Sequence, residues 1–162
     1  MRLDGLGAVE VGVAVEVRIA GPADAVAWAV HRLVSDPSET DADVVELAGL
    51  TPSEHEEAPG LLRQIVGRTA PAFDLRSADG ERIARTLFTE LCRGYLRGEE
   101  RPVDLCEAAR TAEWVYDFPS WIGDLWNACD GLGEDVASED VPHLTREVER
   151  VLDRIGRAED PT

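Results

Sequence analysis

The sequence predicts an all-α fold, a single compact domain of about seven helices, and three observations carry that expectation. Apolar residues recur at helical spacing through most of the chain. Prolines stand where helices would begin, at Pro22, Pro52, Pro102, Pro119 and Pro142. Proline suits a first helical turn because its missing N–H is not needed there. The one alternating run has no partner run nearby, and no Asn-Gly or Asp-Gly hairpin signal follows it.

That run, residues 9–19, places Val9, Val11, Val13, Val15, Val17 and Ile19 at odd positions. Strict alternation is a strand signature. A lone strand cannot satisfy its backbone, so the stretch is read as helical, with a short N-terminal strand pairing across a dimer as the alternative. Pro22 opens the next helix, on which Ala25, Trp28, Ala29 and Leu33 recur at helical spacing. Residues 36–43 are polar and contain Pro37, so they form a loop. A short helix over 43–50 has Gly49 as its end signal. Thr51-Pro52-Ser53-Glu54 fits a capping box, with hydroxyl at the cap and carboxylate three residues on. Pro59-Gly60 is read as an interruption before a short helix striped by Leu61, Leu62, Ile65 and Val66.

Residues 68–77 are irregular. From 79 to 98 the pattern is strong: Ile83, Ala84, Leu87, Phe88, Leu91 and Tyr95 share one face, and Gly98 terminates it. Arg82, Arg93 and Arg97 gather opposite, where ion pairs with helix carboxylates are expected. Pro102 starts a helix with Val103, Leu105, Cys106, Ala109 and Ala112 as its apolar set. After a tight turn at 116–119, Pro119 is read as the start of a helix reaching Asp130. On it Trp121, Ile122, Leu125, Trp126 and Cys129 fall within an arc of roughly 140°, with Asp124, Asn127 and Asp130 outside it. An acidic loop follows over 131–140. Pro142 then opens a last helix carrying Leu144, Val148, Val151, Leu152 and Ile155. The domain is expected over 1–157, with 158–162 a frayed tail.

Composition bounds the function. Of 162 residues, 44% are hydrophobic and 30% charged, which places the chain among globular proteins. Acidic residues number 33 against 16 basic ones, a net charge of -17. Bare nucleic acid and anionic membrane would be repelled, and a basic protein partner is favoured. Cys92, Cys106 and Cys129 are odd in number, and the start of the chain lacks a signal-peptide pattern. The expectation is therefore a reduced, cytoplasmic protein whose cysteines are buried and structural.

No metal or cofactor is called for. The cysteines form no C-x-x-C pair, and His31, His55 and His143 show no i,i+4 pairing. Cys129 with His143 has no motif around it that would mark a nucleophile and base. Asp130, Glu134, Asp135, Glu139 and Asp140 could face a hard cation, but they depart from the EF-hand spacing and read better as a solvated loop. The chain is expected to bind rather than catalyse. The expected contact set is Tyr116 and Trp121 as aromatic anchors, with Asp124, Asn127, Asp130, Glu134 and Asp135 as the polar and steering residues.

Two stretches carry a resemblance. The first joins Ala25-Val26-Ala27-Trp28-Ala29 to Val44-Val45-Glu46-Leu47-Ala48-Gly49-Leu50. The second joins Leu96-Arg97-Gly98-Glu99 and Pro102 to Tyr116-Asp117-Phe118-Pro119-Ser120-Trp121-Ile122-Gly123-Asp124-Leu125. Together they resemble a family of small helical bacterial immunity proteins of polymorphic toxin systems. The resemblance covers most of residues 20–130 and consists of core and turn residues, with no active site to transfer. It implies an all-helical neutraliser that blocks a toxin, often a nuclease with a basic surface. The alternative is a non-catalytic helical adaptor or regulator, homodimeric in one version.

Overall fold

The computed structural model describes residues 3–36, 38–130 and 141–159. The described chain is all-α. Its elements are α1 (Ala8–Glu16), α2 (Pro22–Ser35), α3 (Ala42–Gly49), a 3-10 turn (Pro52–Glu57), α4 (Ala58–Thr69), α5 (Ala78–Leu96), α6 (Pro102–Val115), α7 (Leu125–Asp130) and α8 (Val141–Glu159). They divide into two compact units. An amino-terminal unit holds Arg2–Glu16 and Ala20–Gly80, and a carboxy-terminal unit holds Val17–Ile19 and Glu81–Thr162.

The alternating run is helical over Ala8–Glu16. Val11, Gly12, Val13 and Ala14 are consecutive and all buried, so α1 is covered on nearly every side. A helix buried all round has no need of a polar face, and its alternation carries no information about period. Gly12 is the point of closest approach to α4: a Cβ there would stand 2.9 Å from Val66 Cγ2. Pro59 and Gly60 do not interrupt α4. They occupy its first turn, where a missing N–H costs nothing, and Leu61, Leu62, Ile65 and Val66 are all buried behind them.

The 3-10 turn begins where the capping box is expected, with Glu54 Oε2 accepting from the Thr51 N–H at 2.9 Å and from the Thr51 hydroxyl at 2.6 Å. The start of α3 is more elaborate. Asp41 Oδ1 accepts from the N–H groups of Asp43 at 2.9 Å and Val44 at 3.3 Å, satisfying donors the helix leaves open. Arg68 of α4 donates from Nη2 to the same oxygen at 2.5 Å and also pairs with Asp43. Burial pushes the Asp41 carboxyl up, but Arg68 and the two amides outweigh it and leave the group below its ordinary value of 3.8.

A carboxyl lowered in the fold adds stability above its unfolded pKa and loses it as pH falls through the folded one. Asp41→Ala should therefore cost about 1 kcal/mol at neutral pH. The gap between variant and parent should close in acid, below the ordinary carboxylate range. Thermal unfolding of both proteins at neutral and strongly acidic pH checks this, and a gap that persists unchanged in acid would contradict it.

In the carboxy-terminal unit, α5 ends as expected. Gly98 has φ +74°, its N–H reaches the Tyr95 carbonyl at 2.9 Å, and the Glu99 N–H reaches the Gly94 carbonyl at 2.9 Å. This is a Schellman cap that closes the last open carbonyls. Leu144, Val148, Val151 and Ile155 of α8 are fully buried at spacings of four, three and four. That helix runs to Glu159, and 160–162 lie outside the described residues. Arg93 of α5 pairs with Glu90 of the same helix as expected, and Arg97, just past its end, pairs with Glu99 in the turn that follows.

Candidate partner-binding surface

The helix expected from Pro119 is shorter than the sequence implies. Residues 120–124 are turns, and only Leu125–Asp130 is helical. Two backbone positions explain this. Phe118 has φ +58° and Gly123 has φ +58°, and neither value continues a right-handed helix. Arg154 of α8 lies over Gly123 and donates from Nη1 to the Ile122 carbonyl at 3.3 Å, so a side chain at 123 would displace it.

Trp121 is consequently not an exposed anchor. It is 5% exposed, its Nε1–H donates to Glu81 Oε1 at 3.0 Å, and its ring meets Phe88 edge-on at 5.4 Å. It belongs to the core, as do Ile122 and Leu125. Tyr116 is half-buried. Asp124 and Asn127 are exposed, as their expected role requires. The Asp130 side chain, Glu134, Asp135 and the acidic loop 131–140 fall outside the described residues.

The exposed aromatic surface lies one turn earlier. On α6 the residues Leu105, Cys106, Ala108, Ala109, Ala112 and Glu113 are buried, while Glu107, Arg110 and Trp114 face outward. Burial pushes the Glu113 carboxyl up. Trp114 is 79% exposed and Phe118 61%, and their rings lie 6.2 Å apart, tilted at 51°. The turn between them carries the long 6→1 bond of a Schellman-type cap. The Tyr116 N–H reaches Ala112 O at 3.0 Å, the Phe118 N–H reaches Glu113 O at 2.9 Å, and Asp117 takes the left-handed position at φ +51°.

Glycine is the ordinary residue at that position, and a negative charge there opposes the helix dipole. Asp117→Gly should therefore stabilise the unit by about 0.5–1 kcal/mol. The urea midpoint reads this, and a lower midpoint would contradict it.

The cysteines are buried as expected, but two of them are not thiols. Cys106 of α6 and Cys129 of α7 form a disulfide, with Cα atoms 5.4 Å apart across a sequence separation of 23. Sequence spacing does not report which helices face each other, so the pairing has no local signature. Arg110 Nη2 reinforces the same junction by donating to the Cys129 carbonyl at 2.5 Å. Cys92 alone is a free thiol; it is buried, and burial pushes its pKa up to about 12. A thiol held protonated is a poor nucleophile, and Cys129 has no thiol to offer His143. The disulfide also removes the cysteine argument for a reducing compartment.

Among the described residues no three of His, Cys, Asp and Glu gather as a metal site, and no helix is long and apolar enough to cross a membrane. No family model, curated protein or solved structure matches the chain. The candidate site therefore rests on its own chemistry: two exposed rings at a helix end, with exposed carboxylates at Glu107, Asp117 and Asp124 on the same unit.

The periodicity of α6 contains the signal for Trp114. At about 100° per residue, Trp114 stands roughly 180° from Leu105, on the solvent side. Phe118 has no comparable signal, because its exposure follows from a left-handed backbone that the sequence does not advertise.

Proposed function

We propose that this chain is a non-catalytic binding protein of the immunity type, which neutralises a toxin by covering that toxin's basic active or substrate-binding surface. The observation that carries the reading is the charge of -17 on a helical scaffold. A surface of that sign speeds encounter with a basic protein and disfavours acidic competitors. Exposed aromatic rings on the same scaffold supply what charge alone does not, since binding energy concentrates in a few aromatic and arginine contacts. The resemblance of residues 20–130 to helical immunity proteins points the same way.

Occlusion requires no chemistry from this chain. Its carboxylates need only occupy the place of an anionic substrate. Co-expression with the protein encoded beside it is the test. A stable complex and relief of toxicity are the expected result. Neither a complex nor relief, with both proteins expressed and folded, would overturn the reading.

A further inference from the structure

We infer that the Trp114–Phe118 pair is the anchor of this contact, and that the segment it takes from the partner is an arginine-bearing one. The inference rests on the binding reading above and names the site and the chemistry of its occupant.

The capping turn by itself does not account for the pair. A Schellman cap is often accompanied by an apolar contact across the turn, and any two modest side chains can make it. Trp114 instead leaves 79% of its surface in water and Phe118 leaves 61%. The largest apolar side chain available is thus placed where it buries least. The backbone beneath it is also unfavourable, with left-handed φ at two successive residues that are not glycine, Asp117 and Phe118. Local conflicts of this kind collect where a surface is shaped for something other than folding.

The occupant follows from charge. An aromatic face carries negative charge density and attracts a cation placed over it. A guanidinium stacks on such a face and also pairs with a carboxylate through its fixed fork. Asp117 lies between the two rings in sequence and is exposed, whereas Glu107, on the same outward stripe of α6, already pairs with Arg18, so the carboxylate assigned to the fork is Asp117. Arg110, the cation on that stripe, turns Nη2 to the Cys129 carbonyl. The fold already displays the same pairing of rings and guanidinium, since Arg32 lies 5.6 Å from the Trp28 ring centre. An acidic segment would gain the rings but meet repulsion from Asp117, and an uncharged apolar one would gain nothing from its charge.

The test uses the full chain with nona-arginine, nona-lysine and nona-glutamate as probes, at physiological salt. Affinity is read by titration calorimetry in the parent and every variant, and contact at the site from the indole N–H resonance of Trp114 in the parent, assigned by its loss in Trp114→Phe. That resonance should move with nona-arginine, and affinity should fall at least about ten-fold in the Trp114→Ala, Phe118→Ala double variant. Trp114→Phe should keep most of the affinity, since a ring remains. Val34→Ala, at a residue 75% exposed on α2, should leave it unchanged.

Unchanged affinity in the double variant, with its circular dichroism intact, would overturn the inference. So would equal affinity for nona-lysine, preference for nona-glutamate, or no binding of nona-arginine by the parent chain. The titration needs no toxin, so its failure is separable from a failure of co-expression. Relief of toxicity that survives in the double variant would retain the neutraliser and remove this site.

Discussion

Gly80→Ala should destabilise the protein by about 3 kcal/mol, and thermal unfolding should fall by roughly 6–12 °C. The usual rule for helices gives the opposite sign. Gly80 lies in the first turn of α5, and alanine in place of glycine within a helix gains about 1 kcal/mol. What reverses the sign is the turn that precedes the helix. Asp74 accepts through its carbonyl from the Ser77 N–H at 3.0 Å and the Ser77 hydroxyl at 2.6 Å, and through Oδ1 from the Arg76 N–H at 3.0 Å. Ser77 Oγ in turn accepts from the Gly80 N–H at 3.3 Å.

These bonds fold the 74–77 backbone tightly against Gly80. A Cβ on Gly80 would stand 2.7 Å from the Leu75 carbonyl carbon, nearer still to its oxygen, and 3.2 Å from the Asp74 oxygen. A flexible side chain could swing aside, but these atoms are backbone, held at both ends. Relief requires opening the turn and giving up its bonds. Gly49→Ala is the matched control, since nothing stands within 4 Å of a Cβ there. A Gly80→Ala protein as stable as its parent would show that the turn yields freely.

How much was legible in the sequence follows from the same kind of contact. Helices with one buried face are plain: α8 declares itself through Leu144, Val148, Val151 and Ile155, and α5 through Ala84, Leu87, Phe88, Leu91 and Tyr95. Helices buried on most sides are not, because α1 has no polar face to set its phase. The segment after Pro119 reads as a helix because proline permits one, and nothing in Phe118 or Gly123 announces a left-handed backbone. The arc drawn on that helix nevertheless selects mostly buried residues, since Trp121, Ile122, Leu125 and Cys129 are apolar whether the backbone turns or coils. The acidic balance is fully legible, whereas the rings that give it a focus depend on one capping turn.

Breaking the Cys106–Cys129 disulfide should cost about 3 kcal/mol, because a cross-link over a loop of this length removes that much freedom from the unfolded chain. Its consequence should concentrate on α7. That helix has six residues, too few to hold itself in water. It is kept by the disulfide, by Arg110 on the Cys129 carbonyl, and by the burial of Leu125 and Ala128. Both half-cystines are 3% exposed or less, so a reductant reaches them slowly while the protein is folded.

A thiol count tests the bond directly. The native protein should titrate no thiol quickly, because Cys92 is buried. Denaturant without reductant should expose Cys92 alone, and all three cysteines should react only after reduction. Three reactive thiols in denaturant without reductant would mean that the bond is absent from the protein as made. If the bond is present, the Cys106→Ser, Cys129→Ser protein should unfold at lower urea. Hydrogen exchange should then quicken first in 125–130, before the α6 backbone that carries Trp114. Loss of Trp114's surroundings together with α7 would mean that the aromatic surface depends on the cross-link. Retention would mean that the capping turn holds it alone, as its own hydrogen bonds from Tyr116 and Phe118 predict.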